Sequence, residues 1–67
     1  KEDILIQFGQ KVREIRLEQK ISQEELSYRS NLHRTYIGAV ERGEKNISLI
    51  NMDKIAKALN VKLNYLL

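Results

Sequence analysis

Sixty-seven residues, 42% of them hydrophobic, are enough for one small domain around a single core. The absence of cysteine excludes a disulfide framework and thiolate metal sites, and no stretch reaches the roughly 20 apolar residues of a membrane span. Twelve Lys+Arg against nine Asp+Glu give a net charge of +3, which permits a polyanionic partner without demanding one.

A cysteine-free composition fits a reducing, cytoplasmic setting, and nothing resembles a signal peptide. The chain begins at Lys1 and not at methionine, so a few native residues are expected ahead of it. There is no proline, no internal repeat, no linker and no sustained period-two alternation. An all-α fold over residues 1–67 as one domain follows.

The first helix is predicted from about Asp3 to about Gln19, capped by Asp3, with Ile4, Phe8, Val12 and Ile15 on one apolar stripe. After a break at Lys20-Ile21, Ser22 is a good N-cap, and Glu25 three residues on completes a capping box. A second helix then runs from Gln23 to about Ser30 with Leu26 inward, and Asn31 suits a left-handed turn residue. A third runs from His33 or Arg34 to about Arg42, with Gly43 as its stop. Ser48 caps a fourth of about Leu49 to Leu59, whose inner face is Ile55, Ala56 and Leu59 helped by Leu49 or Met52; Asn60 ends it. The apolar end VKLNYLL makes a brief fifth.

Two short helices joined by about three residues occur in many helical domains, so the pair alone is not diagnostic. What the third helix leaves in water is more informative. At about 100° per residue, Ile37 and Val40 point one way with Tyr36 on the border, while Arg34, Thr35, Gly38 and Ala39 cluster opposite. A solvated face in so charged a chain would ordinarily carry Lys and Glu; this one carries one Arg, a Thr and two very small residues. Such a face suits close approach to a flat surface. Arg34 offers a bidentate fork to guanine O6 and N7, and Thr35 reaches a base edge or a thymine methyl. Gly38 and Ala39 put nothing between helix backbone and groove floor. The bland alternatives are a solvated charge at Arg34 and simple tolerance of Gly38, at about 1 kcal/mol relative to Ala.

Phosphate contacts are expected from the flanks. Gln23 sits at a helix N-terminus, where free N–H groups favour an anion, and Arg42, Lys45 and Asn46 follow the third helix. Arg42 and Lys45 serve equally well as plain solubilising charges. Arg16, beside the first helix's stripe, and Glu41, near the inner arc of the third, are expected to form a partly buried ion pair.

These residues carry a resemblance. SQEELSYRSNLHRTYIGAVERG resembles the helix-turn-helix of the phage repressor and Cro family, also called the Xre family, and the similarity continues through NISLINMDKIAKALNV. Within that family, LHRTYIGAVERGEKNISL looks most like the controller proteins of restriction–modification systems. The resemblance implies a five-helix, lambda-repressor-like domain with a central helix-turn-helix. It implies base reading by Arg34, Thr35 and Ala39, a phosphate-contacting Gln23, a DNA-binding Tyr36, a basic residue and an asparagine at Lys45 and Asn46, and an Arg16–Glu41 pair. It also implies twofold dimers built through the C-terminal helix, for which Leu63, Tyr65, Leu66 and Leu67 are available. Leu63 and Leu66 serve equally well to close the monomer's core, which leaves Tyr65 and Leu67 the better interface candidates. Two positions depart: Gly38 stands where the family often has serine, and Lys45 replaces an arginine found in some controllers.

The function expected on this basis is a transcription regulator that binds a near-palindromic double-stranded DNA operator as a homodimer, with half-sites about 34 Å apart. Acting through occupancy, it blocks RNA polymerase over a promoter element or recruits it from upstream. A protein-interaction module on the same fold, antitoxin-like or coactivator-like, is the alternative. An enzyme is disfavoured: His33 is the only histidine, and no carboxylate pair has a supporting base or metal cluster. No cofactor, metal, membrane or small-molecule partner is expected, and His33 is assigned to solvent at the start of the third helix, close enough to brush a phosphate.

Overall fold

Local side chains set most of the helix boundaries. The Ser22 hydroxyl accepts the Glu25 N–H at 3.0 Å and the Ser48 hydroxyl accepts the Asn51 N–H at 3.1 Å, each satisfying one orphan donor at a helix start. His33 does the same with Nδ1, which accepts the Thr35 N–H at 3.1 Å. The resulting helices in this computed structural model, which describes residues 3–67, are α1 (Asp3–Glu18), α2 (Gln23–Ser30), α3 (Arg34–Glu41), α4 (Leu49–Ala58) and α5 (Leu63–Leu66).

Four of the five end on a left-handed residue. Lys20, Gly43 and Asn60 take positive φ of 59°, 74° and 60°. Each is followed by an N–H that returns to a carbonyl of the last turn: Ile21 to Arg16, Glu44 to Ala39 and Val61 to Ala56. This is the paired closure in which a left-handed residue lets the chain fold back over its helix end. Asn31, at φ 59°, ends α2, and Leu32 N–H bonds the Ser27 carbonyl. Asn31, Gly43 and Asn60 are residue types that tolerate this conformation, whereas Lys20 has no such preference.

The core gathers Phe8, Val12 and Ile15 from α1, Leu26 from α2, Ile37 and Val40 from α3, and Ile47 from the following loop. Ile55 and Ala56 of α4, Leu59 just beyond it and Leu66 of α5 complete it. Three details differ from the sequence reading, and one alternative it left open is settled. Asp3 is already helical and does not precede α1 as its cap. Ile4 is 66% exposed and flanks an open cleft with Leu67. Of the two residues offered to help the inner face of α4, Met52 packs on the core and Leu49 is 64% exposed. Only the serine half of the capping box is seen, since the Glu25 carboxylate accepts from Arg29 Nε at 2.9 Å, one turn further on.

Candidate nucleic-acid interface

The helix that carries the candidate contacts, α3, is held from behind by atoms with little freedom. Gly9 lies where α1 crosses α3. A Cβ there would fall 2.2 Å from the Val40 carbonyl oxygen and 2.8 Å from that of Glu41, so only glycine allows this approach. Gly43 has a second reason to be glycine besides its φ, because a Cβ would meet Ile6 Cγ1 at 2.8 Å. Ile37 and Val40 are buried in the core below.

Charge supplies the other tie. Arg16 Nε donates to Glu41 Oε2 at 2.7 Å and Arg16 Nη2 to Glu41 Oε1 at 3.0 Å, a bidentate pair whose side chains are 8% and 2% exposed. Arg16 Nη1 donates to the Ile21 carbonyl at 2.9 Å, and Gln23 Nε2 donates to Glu41 Oε1 at 3.1 Å. The buried Arg16–Glu41 pair therefore links α1, the α1–α2 turn, α2 and α3. Among the described residues no buried side-chain polar atom lacks a partner, the condition under which such a network rigidifies rather than destabilises.

The outer side of α3 is less bare than its sequence suggests. Arg34 and Thr35 are exposed on its first turn, next to the His33 cap. Gly38 and Ala39, expected in the open, are buried. Long neighbouring side chains are the cause at Gly38: a Cβ there would lie 3.2 Å from Arg42 Nη1 and 3.5 Å from Gln23 Oε1, so both side chains cover it. Ala39 keeps 6% of its surface, at the point where the departing chain turns back and Glu44 N–H bonds its carbonyl at 2.9 Å. Tyr36 is half-buried against the core, and its hydroxyl accepts from Asn51 Nδ2 at 3.1 Å, a bond between α3 and the start of α4.

The flanking candidates fall into two groups. Gln23 is anchored on Glu41 beside Gly38. Arg42 lies across the outer face and pairs with Glu44 at 3.2 Å, while Lys45 and Asn46 stand exposed in the loop that follows. Arg34, Thr35, Gln23 and Arg42 thus share one side of the molecule around α3. The C-terminal candidates form a separate patch. Tyr65 is 56% exposed with Lys11 Nζ 5.0 Å above its ring, and Leu67 is 71% exposed. Leu66 is 2% exposed and Leu63 packs on the core, so neither offers much interface surface; α5 needs both to close the monomer.

Three structural residues escaped the sequence reading. Gly9 left a trace, since a glycine amid a strong helical pattern costs about 1 kcal/mol and asks for a packing reason. Asn51, which holds Tyr36, and Gln19, whose Nε2 donates to the Leu59 carbonyl at 2.6 Å, left none. Among the described residues no group of three or more His, Asp or Glu could hold a metal ion, and no helix is long and apolar enough to cross a membrane.

Comparison with known proteins gives this geometry a context. Residues 12–66 match the family described as Helix-turn-helix. Control protein C.BamHI of Bacillus amyloliquefaciens is 54% identical over 61 residues, covering 90% of this chain and 75% of the relative. The crystal structure of the restriction–modification controller protein C.AhdI from Aeromonas hydrophila superposes with a TM-score of 0.92 at 46% identity, covering 94% of this chain and 96% of the other. The controller protein C.Esp1396I, solved as a tetramer in complex with its natural 35-base-pair operator, superposes with a TM-score of 0.89 at 37% identity, covering 92% of this chain and 82% of the other.

Proposed function

The chain belongs to the helix-turn-helix family and, within it, to the restriction–modification control proteins, and we propose that it is a sequence-specific regulator of transcription that binds an operator in double-stranded DNA. The observation that carries this is the exposed Arg34-Thr35 pair on the first turn of a helix locked from behind by Gly9 and the Arg16–Glu41 pair. A rigid helix leading with a bidentate donor is what major-groove reading needs. Arg34 and Thr35 read base edges. Gln23, Tyr36, Arg42, Lys45 and Asn46 hold phosphates or groove edges and fix the register. Gly38 and Ala39 permit close approach once the side chains above Gly38 have moved.

The protein acts as a homodimer through the exposed C-terminal patch of Tyr65 and Leu67, and each protomer's α3 enters one half-site. C.Esp1396I, solved as a tetramer on its operator, supports assembly on DNA of this kind. Regulation works through occupancy: bound over a promoter the protein excludes RNA polymerase, and bound upstream it recruits it. Its target is its own gene together with that of an endonuclease. Genes for a methyltransferase and an endonuclease next to its own would support this last step, and a phage lysogeny region there would refute it.

The test is a salt titration on duplexes selected by the protein from a random pool. Between 50 and 200 mM salt the affinity falls about a thousandfold or more if six or so phosphates are neutralised. An affinity that ignores salt would instead indicate that α3 meets protein.

A further inference from the structure

Resting on that DNA-binding reading, we propose that Glu44 sets the affinity for DNA by competing with phosphate for Arg42. Arg42 is then a DNA contact held in reserve across the outer face of α3.

Arg34, Gly38 and Arg42 stand four residues apart and fall on one stripe of the helix. Arg42 caps α3 in a helical conformation, φ −85° and ψ −1°, so its side chain still follows that stripe. Helical side chains lean toward the N-terminus of their helix, which carries the guanidinium back over position 38. Glycine at that position leaves the room: Nη1 lies 3.2 Å from where a Cβ would be. The charge is thereby brought back over Gly38, toward the first turn.

What holds it there is weak. Arg42 Nε pairs with Glu44 Oε2 at 3.2 Å, with side chains 58% and 40% exposed. A pair this open is screened by solvent and easily exchanged. Gln23, the other side chain over Gly38, is anchored on Glu41, so Arg42 is the part of the cover that can leave. A phosphate presents the guanidinium with the same acceptor geometry as a carboxylate. When a DNA backbone replaces Glu44, Arg42 exchanges carboxylate for phosphate and the α3 face over Gly38 opens in the same step. The burial of Gly38 is therefore a property of the unbound protein.

A double-mutant cycle tests this. Fluorescence anisotropy compares the parent, Glu44→Gln, Arg42→Ala and the double variant on one selected duplex and one unrelated duplex at fixed salt. Glu44→Gln is expected to bind both duplexes about two- to fivefold more tightly, the fold-change corresponding to an exposed ion pair, and to gain clearly less in the Arg42→Ala background. An equal gain in both backgrounds overturns the proposal, because removal of a negative charge alone would then explain it. No gain in the parent background also overturns it. Nitrogen-edited NMR of the parent gives a second measurement that needs no variant: the Arg42 Nε–Hε signal moves when duplex is added, and a signal that stays in place overturns the proposal. A parent that binds no duplex overturns the functional reading together with this inference, whereas the two failures of the cycle touch the inference alone.

Discussion

The two faces of α3 are built on opposite principles. Behind it, Gly9 brings the backbone of α1 against the Val40 and Glu41 carbonyls, and the Arg16–Glu41 pair is nearly sealed from water. In front, Gly38 is covered only by the far ends of Gln23 and Arg42, and Arg42 is held by a half-exposed carboxylate. One face is fixed by atoms that cannot move without the fold moving. The other is covered by the ends of side chains, of which Arg42 can swing aside. A recognition helix needs both: its direction must be set before DNA arrives, and its surface must still adapt to the groove.

The sharpest way to break this contrast is at the buried pair. Glu41→Ala would strand the Arg16 guanidinium, remove the acceptor of Gln23, and cost about 3–5 kcal/mol. Thermal melting is expected to show a large drop, with loss of DNA binding as a consequence. A melting temperature equal to the parent's would mean that the rear face is not held by charge. Gly9→Ala probes the same face by steric means. Its Cβ would press on two backbone oxygens, and overpacking costs about 1–3 kcal/mol, with the upper end expected here because neither oxygen belongs to a flexible side chain. A Gly9→Ala protein as stable as the parent would show that α1 and α3 can separate cheaply.

These two positions also show where the sequence is legible. Ser22, Asn31, Gly43, Ser48 and Asn60 mark helix ends through bonds or backbone angles that a few adjacent residues decide, and each was readable. Lys20 adopts the same left-handed angle with no residue preference to announce it. Periodicity placed Ile4 on the correct helix but not its burial, and left Leu49 and Met52 as alternatives, because a helical stripe says which way a side chain points and not whether anything lies opposite. Gly38 and Ala39 fail for a related reason. The wheel gives the outward direction correctly, yet at Gly38 an arginine four residues on folds back over it, and at Ala39 the departing chain turns back. Leu66 and Leu67 are adjacent leucines with opposite fates, 2% and 71% exposed, and only the docking of α5 separates them.

On the front face the effects should appear in binding before stability. Arg34 is exposed on the first turn, so Arg34→Ala is expected to leave the melting temperature unchanged. Specific affinity should fall by about 1–3 kcal/mol, and preference at one base pair should relax. Binding measured against a set of single-base operator variants separates the possibilities. A loss equal on every sequence would reduce Arg34 to a phosphate contact and move base reading elsewhere on α3.

The smallest effect is the most telling, because it pits the two glycines against each other with one substitution. Gly38→Ala adds the same methyl as Gly9→Ala, but it meets Arg42 Nη1 at 3.2 Å and Gln23 Oε1 at 3.5 Å, both at the ends of long side chains. Arg42 moves aside at little cost, and the helix gains up to about 1 kcal/mol in propensity. For a domain of this size the melting temperature should rise by up to about 4–8 °C. Specific binding should weaken at the same time, since the methyl stands where backbone and groove approach. Stability and affinity thus move in opposite directions at Gly38, whereas at Gly9 they fall together. A Gly38→Ala protein that melts below the parent would mean that Gln23 and Arg42 are as immovable as the carbonyls behind the helix.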